Sequence, residues 1–550
     1  MVFFFSFSSQ SLVLNLKDSS QNRRDRVNPN VFEDISNLVL LLADQMRART
    51  WLTGPLVDQT NDVISFLLKD VLSILDRGQV LHLFESYLNL LCSASTESKA
   101  AWSEFGKMIW NSLRIVSDHA QYVPINVPIP NPFASSSVVV AQFAADHFLA
   151  GLLARHLNRV LGAKQSSATF GVMSNAAMVL RELFRKLETD ERLAGSRALK
   201  ERVARIHFPV CLILVAHAEV MSELQVHDLT GARDLAACFL WLLKLLRHKA
   251  VLQKWWLTET LKGQKAFLQL LQTCLSLFSG MGSLTSTAAR IILQQASWFM
   301  QDLGAVLSSS ENTSFLEMLL NVYLELLREG LNDADLLVSL FMTIRTVVLR
   351  FSESLFVFSG TSQFCGDLVF ELLQYANVPN GRVRTSAAAL LYLLMKQNFA
   401  IKGNFSRMKL QATIAVSRFS GNVKMAETRH LAESLGAVAD RAFGDFGKSE
   451  FATEVKLLAT TLYRVMEDSA KIHQYRADQE RMCDYMYSVS LGYVESPELR
   501  LTWLNNLATF HLSAKNYEEH AQCKLMQASL VSEYILATNP DIEVKKNVFF

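Results

Sequence analysis

Along most of this chain apolar residues recur three and four positions apart, with charged residues filling the intervals. In MSNAAMVLRELFRKLETDERL, Met173, Ala177, Leu180, Phe184 and Leu187 form one stripe, and Arg181, Glu182, Arg185 and Lys186 lie opposite. A 3.6-residue period puts such a set on one side of a helix, so the segment predicts an amphipathic helix with a solvated charged face. SFLEMLLNVYLELLREGL (Ser314–Leu331) repeats the pattern, with Gly330 placed to cap the end. GRVRTSAAALLYLLMKQNF (Gly381–Phe399) repeats it again, and Ala387 to Ala389 allow another helix to come close. Period-two alternation between hairpin turns is almost absent. The pattern predicts helix for roughly two-thirds of residues, in rods of about 12 to 20 residues joined by short loops.

No strict repeat is visible, which excludes leucine-rich and ankyrin arrays. The expectation is an all-α fold, an irregular armadillo- or HEAT-like α-solenoid in which each helix pair buries one face against the pair before it and one against the pair after. Four of the ten prolines fall in YVPINVPIPNPFASSS, at Pro124, Pro128, Pro130 and Pro132. That density predicts an extended, polyproline-like linker. The resulting division is an N-terminus over 1–30 without dependable structure, a helical segment over 31–120, the linker over 121–136, a helical array over 137–465 and a C-terminal module over 466–550. The opening MVFFFSFSSQSLVLNLKDSS has neither the basic start nor the cleavage site of a signal peptide, and is short and polar for a spanning helix.

Composition narrows the function. Half of the residues are hydrophobic and 19% are charged, so a large core is available. Net charge is +2, from 54 basic and 52 acidic residues, which gives no electrostatic case for nucleic acid as partner. The seven cysteines are scattered, with no CxxC and no Cys/His spacing for a metal. They are expected as reduced thiols packed like small hydrophobes in a cytoplasmic protein. The basic cluster Asn22–Arg26 is too short to stand as a nucleic-acid or lipid signal, so any membrane contact is expected to be peripheral.

Each candidate for chemistry has a plainer explanation. GDFGKS (Gly444–Ser449) lacks the four-residue spacing by which a phosphate loop wraps its ligand, and predicts a turn between helices. GMGSLT (Gly280–Thr285) has Thr285 where a dinucleotide fingerprint needs its third glycine. His147 and His156 lack a third ligand. Lys254–Trp256 (KWW) is expected between helices rather than as a binding anchor. The sequons at Asn312 and Asn404 matter only in a secreted chain. No cofactor, metal or catalytic residue is expected.

The C-terminal segment SPELRLTWLNNLATFHLSAKNYEEHAQCKLMQASLVSEYI (Ser496–Ile535) differs in style. Leu499, Trp503, Leu507 and Phe510 form one stripe, a turn follows at Ser513–Asn516, and Ala521, Leu525 and Ala528 give the small–large–small spacing of tetratricopeptide-like pairs. Here the sequence resembles the start of the catalytic homology region of the DOCK (dedicator of cytokinesis) family. The matching residues are Ser496, Pro497, Glu498, Leu499, Arg500, Thr502, Trp503 and Leu504, then Ala521, Cys523, Ser529, Leu530, Val531, Glu533, Tyr534 and Ile535. Two positions depart from the pattern: His520 stands where a small residue is usual, and Ser532 replaces an alanine. HQYRADQERMCDYMYSVSLGY (His473–Tyr493) resembles the helix before the motif, and Ala388–Ser417 resembles the zizimin-related branch. RDLAACFLWLLKLL (Arg233–Leu246) and ERVARIHFPVCLIL (Glu201–Leu214) are weaker echoes, so the resemblance covers about 175 to 537.

The resemblance implies a guanine nucleotide exchange factor for Rho-family, Rac-like GTPases, in which an armadillo-like array precedes a catalytic DOCKER region of three lobes. On that basis 466–550 would be the first helices of lobe A and the motif residues structural. The GTPase-contacting lobe would be absent, so the chain alone would be a scaffold without exchange activity, open to adaptor proteins. The alternative is a freestanding α-solenoid that binds partners and has no exchange role.

Overall fold

The computed structural model describes residues 28–48, 54–96, 98–126, 148–194, 196–246, 250–302, 313–357, 362–403, 429–475, 477–493 and 496–538, with isolated positions between 405 and 415. The opening stretch, the Asn22–Arg26 cluster, His147, Asn312, Asn404 and most of the proline-rich interval lie outside these residues. Pro124 lies inside them, in a helical turn at Tyr122–Ile125 rather than in extended chain. In the first turn of a helix the missing N–H of proline would have had no partner anyway. Among the described residues every regular element is a helix.

Two compact units divide the chain, Met1–Gln295 and Ala296–Phe550. The first contains Pro29–Ala48 (α1), Pro55–Val71 (α2), Arg77–Ser95 (α3), Lys99–Ser117 (α4), Phe148–Leu161 (α5), Ser167–Thr189 (α6), Arg197–Ile206 (α7), Phe208–Ala216 (α8), Ala218–His227 (α9), Leu229–Leu245 (α10), Ala250–Thr258 (α11) and Leu261–Leu277 (α12). Ser283–Asp302 (α13) carries the boundary. The second unit continues with Thr313–Arg328 (α14), Ala334–Arg350 (α15), Ser362–Tyr375 (α16), Gly381–Lys402 (α17), Arg429–Phe446 (α18), Glu450–Gln474 (α19), Gln479–Gly492 (α20), Pro497–Ser513 (α21) and Tyr517–Thr538 (α22).

Side-chain chemistry marks where these helices begin. Asp76, Ser98, Ser166, Asp228, Thr260, Asp333, Asn380, Ser449 and Asp478 each accept a hydrogen bond from a first-turn amide, which satisfies a donor the helix itself cannot. Gly403 ends α17 at φ +65°, where a side chain would be strained. The stripe Met173, Ala177, Leu180, Phe184 and Leu187 is buried in α6 as the spacing predicts, while Arg181 and Arg185 stay exposed.

In the first unit α2, α4, α6 and α10 pack in succession as one row, and α1, α3, α5, α8 and α12 as a second. Hydrogen bonds show that neighbours within a row run in the same direction. Between α2 and α4, Ser65 meets Ser112 (2.9 Å) and Lys69 meets Asp118 (2.6 Å). Between α6 and α10, Arg181 meets Asp234 (3.2 Å) and Trp241 Nε1–H donates to Glu188 (3.0 Å). These partners are 47, 49, 53 and 53 residues apart. In the second unit α15, α17 and α18 follow the same rule, with Arg382 on Asp335 at a separation of 47 and Tyr392 on Asp445 at 53. A step of this length is one helical repeat of the armadillo or HEAT kind, and no sequence repeat announces it. The step from α4 to α6 is longer, with Lys186 on Asp118 at 68, and residues 127–147 fall inside it.

Where α2, α3 and α4 meet, the core is pinned by polar groups. Asn61, Ser65, Tyr87 and Ser112 are essentially inaccessible. Asn61 Oδ1 accepts from the Tyr87 hydroxyl (2.7 Å) and the Ser112 hydroxyl (2.8 Å), and Ser65 donates to Ser112 (2.9 Å). Replacing Asn61→Leu strands two buried hydroxyls. It is expected to cost roughly 3 kcal/mol in denaturant unfolding, against about 1 kcal/mol for Tyr87→Phe, which leaves Ser112 its acceptor.

In the second unit Glu371 on α16 is almost fully buried and lies 3.7 Å from Arg328 at the end of α14, beside Glu325 and Asp367. Burial pushes the Glu371 carboxyl up to about 7, Arg328 opposes this, and Asp367 and Glu325 add to it. The folded state therefore holds a proton that the unfolded state releases near 4.5. Its stabilising contribution is complete below that value and is lost as pH rises through about 7. The melting temperature of this unit is expected to fall between pH 4.5 and 7.5, and Glu371→Gln to flatten that slope.

Candidate functional site

The motif residues gather in α20, α21 and α22. Pro497 opens α21 at a position where its lack of an N–H is harmless, and Glu498 sits in the first turn, where the helix dipole favours it. Ser496 is buried, but its side chain makes no capping bond. The turn after α21 places Lys515 at φ +63°, and the Asn516 amide donates back to the His511 carbonyl (2.9 Å). Glu518 and Glu519 then open α22.

The pair buries other stripes than those its spacing suggests. On α21 the inaccessible residues are Leu504, Leu507, Ala508 and His511, whereas Leu499, Trp503 and Phe510 are half-buried and Thr502 is exposed. The reason is that α21 packs against both α20 and α22, so its covered surface is broad. On α22 the small–large–small set Ala521, Leu525 and Ala528 faces solvent, with Leu525 57% exposed. Cys523 and Leu530 point inward with half-buried Gln527 between them. Both sets have helical spacing, and the polar Gln527 disguised the inner one. Cys523 packs with Leu507 and Ala508, and Cys483 and Met486 of α20 lie against them.

His520, one of the two departures from the motif, has a clear role. Its Nδ1–H donates to the Ala508 carbonyl across the pair (2.7 Å). Lys524 adds a bond to Asn505 Oδ1 (2.9 Å). The outer face of α22 leaves Met526, Val531, Tyr534, Ile535 and Leu536 exposed, and Glu533 among them. Between α21 and α22 lies a groove of about 510 Å³ bordered by Leu501, Lys524, Gln527, Val531 and Ser532, the second departure. Three buried polar atoms here, Arg500 Nε, His511 Nδ1 and Gln527 Nε2, have no hydrogen-bond partner among the described residues.

The remaining candidates resolve into packing. GDFGKS forms the turn between α18 and α19, with Gly447 at φ +59° and Ser449 capping α19. In GMGSLT the Thr285 hydroxyl accepts from the Met281 amide (3.0 Å) and donates to the Phe278 carbonyl, which locks a turn between helices. Trp255 and Trp256 are buried against Phe267. One cluster was invisible in the sequence because 64 residues separate its members. His156 Nδ1 approaches Cys92 Sγ (3.8 Å), and Arg159 donates to the same sulfur (2.7 Å) while lying over the Trp102 ring. Burial raises the Cys92 thiol and, with Arg159 and Arg155, brings His156 down to about 4, so the pair is neutral and unsuited to nucleophilic chemistry. All seven cysteines are free. Among the described residues no group of three His, Cys, Asp or Glu could hold a metal, and no single helix is long and apolar enough to cross a membrane.

Comparison with known proteins places this arrangement. A family profile described as "DHR-2, Lobe A" matches residues 484–547, the α20–α22 region, and one described as "DOCK6-11, TPR domain" matches residues 1–111. Dedicator of cytokinesis protein 7 of Mus musculus is 25% identical over 712 aligned positions, covering 97% of this chain and 33% of that protein. The chain is similar to members of the DOCK family along nearly its whole length. Two further members are more alike over shorter spans. Dedicator of cytokinesis protein 6 of Mus musculus is 35% identical over 256 residues, 46% of this chain and 12% of that protein. Dedicator of cytokinesis protein 11 of Danio rerio is 30% identical over 259 residues, with the same coverages. The chain spans about a third of the length of the DOCK proteins it matches along nearly its whole course. The likeness also reaches further towards the N-terminus than the 175–537 read from the sequence.

His520→Ala removes the bond to Ala508 and is expected to loosen α22 by about 1 kcal/mol, speeding amide exchange along that helix roughly fivefold while α3 and α4 are unaffected.

Proposed function

We propose that this chain is the helical scaffold of a guanine nucleotide exchange factor for Rho-family, Rac-like GTPases. On this reading residues 137–465 form the array, preceded by the helical segment 31–120, residues 466–550 open the DOCKER region, and the GTPase is engaged by surfaces other than those described. The observation that carries the reading is the state of α21 and α22. They pack against each other, match the lobe A profile, and leave apolar residues exposed and three buried polar atoms unsatisfied among the described residues. A helix face of that composition gains most when a further helix covers it.

Exchange itself is displacement. A factor that binds the nucleotide-free GTPase more tightly than the GDP-bound form speeds release by that difference, without covalent chemistry. A rigid stack of helices contributes by holding the catalytic lobes and by offering surface to adaptors. The free thiols fit a cytoplasmic site of action, with any membrane contact peripheral and no nucleic acid involved.

The test uses release of labelled GDP from a Rac-type GTPase. Residues 1–550 alone are expected to leave the intrinsic rate unchanged, whereas the chain continued with the remaining lobes of dedicator of cytokinesis protein 6 is expected to raise it at least tenfold. Acceleration by 1–550 alone would sink the scaffold reading. A folded but inactive continuation would favour the freestanding binding solenoid.

A further inference from the structure

The second unit carries a surface of a different kind, along α15, α17 and α18. These three helices run parallel, so α17 and α18 enclose a groove between them. Its volume is about 590 Å³, and small or aliphatic residues line it: Thr385, Ala388, Ala389 and Leu393 from α17, and Ala437 and Val438 from α18. From Thr385 to Lys396 the α17 wall rises roughly 16 Å, three turns of helix.

Charge is unevenly spread around it. Arg345, Arg384, Lys396 and Arg441 border the groove against only Glu433 and Asp445. Both carboxylates are committed. Glu433 meets Arg384 (3.2 Å), and Asp445 accepts from the Tyr392 hydroxyl (2.8 Å) and meets Arg441 (3.1 Å) and Lys396 (3.6 Å). The Tyr392 phenol, then Arg441 and Lys396, hold the Asp445 carboxyl below the usual carboxylate range. Arg345 has no ion pair or hydrogen bond among the described residues, and it is exposed on α15. One turn before it is Met342, 55% exposed, and one turn after it is Leu349, 49% exposed. Residues 342, 345 and 349 share one face of the helix.

We propose that this surface docks an acidic, amphipathic segment of a partner protein. A carboxylate of the segment would meet the Arg345 guanidinium, whose planar fork suits it. A second would lie towards Arg441, and apolar side chains one helical turn apart would cover Met342 and Leu349. An amphipathic helix laid in a groove supplies both. A phosphate backbone or lipid surface fits worse, because Glu433 and Asp445 are fixed beside the cations and would repel a continuous run of negative charge.

The probe is a fluorescein-labelled 14-residue helical peptide with Glu and Leu on one face, compared with its Gln-for-Glu counterpart, against the full 550-residue chain at low salt. The Glu peptide is expected to bind about tenfold more tightly. Arg345→Glu should weaken it about tenfold and Arg345→Lys about threefold, since the charge remains but the fork is lost. Ala389→Tyr should block binding by filling the groove from its exposed α17 wall without changing charge. Melting temperature monitors folding in every variant. Equal affinity for the two peptides, or indifference to Arg345→Glu in a folded protein, overturns the proposal. So does cosedimentation with phosphatidylserine vesicles that Arg345→Glu abolishes while peptide binding persists.

Discussion

The fold depends on one constraint: a single amphipathic helix cannot hide all its apolar surface, so each must be covered by helices next to it and by the helix one repeat away. The same-direction contacts at separations of 47 to 53 residues are how this chain meets the constraint. Each helix of a row lies in register on the previous one, and the second row closes the other side. Close approach matters for this reason. At Gly106 on α4 an added Cβ would sit 2.7 Å from Val172 of α6, so a larger residue would push two rungs apart.

Apolar faces alone tolerate sliding, because leucine against leucine is equally good one turn along. Polar contacts remove that freedom. Asn61 holds Tyr87 and Ser112, and Glu188 receives the Trp241 indole. The buried contacts carry specificity because a shifted register would leave their groups unsatisfied in a low-dielectric interior. The exposed ion pairs contribute little stability, and their geometry follows the register rather than sets it.

This division explains what was legible in the sequence. Individual helices were, since the 3.6-residue pattern is a local property: the α6 stripe, the cap at Gly330 (φ +60°) and the GDFGKS turn all follow from neighbours in sequence. The repeat was not, because it is defined by contacts some fifty residues apart and the residues making them are chemically different at every rung. The same limit applies to the Cys92–His156–Arg159 cluster. On α22 the sequence offered two stripes of equal spacing. The more hydrophobic one, Ala521–Leu525–Ala528, was the natural choice, yet it faces outward. A stripe shows which residues want cover, and the identity of the neighbour decides which of them receive it from within the pair.

The two uncovered surfaces of the second unit therefore have different physical characters. Along α22, Ala528, Val531 and Ile535 share one exposed apolar strip beside the groove, with unsatisfied polar atoms close to it. Along α15, α17 and α18, the charged groups that border the groove are already paired among the described residues except for Arg345, and the exposed Met342 and Leu349 flank it. That surface is stable in water as it stands. A partner there gains from charge complementarity and a few apolar anchors, which favours fast, salt-sensitive and reversible association. The same stacking rule thus leaves surfaces of unlike chemistry on one unit, and charge rather than apolar area distinguishes the groove.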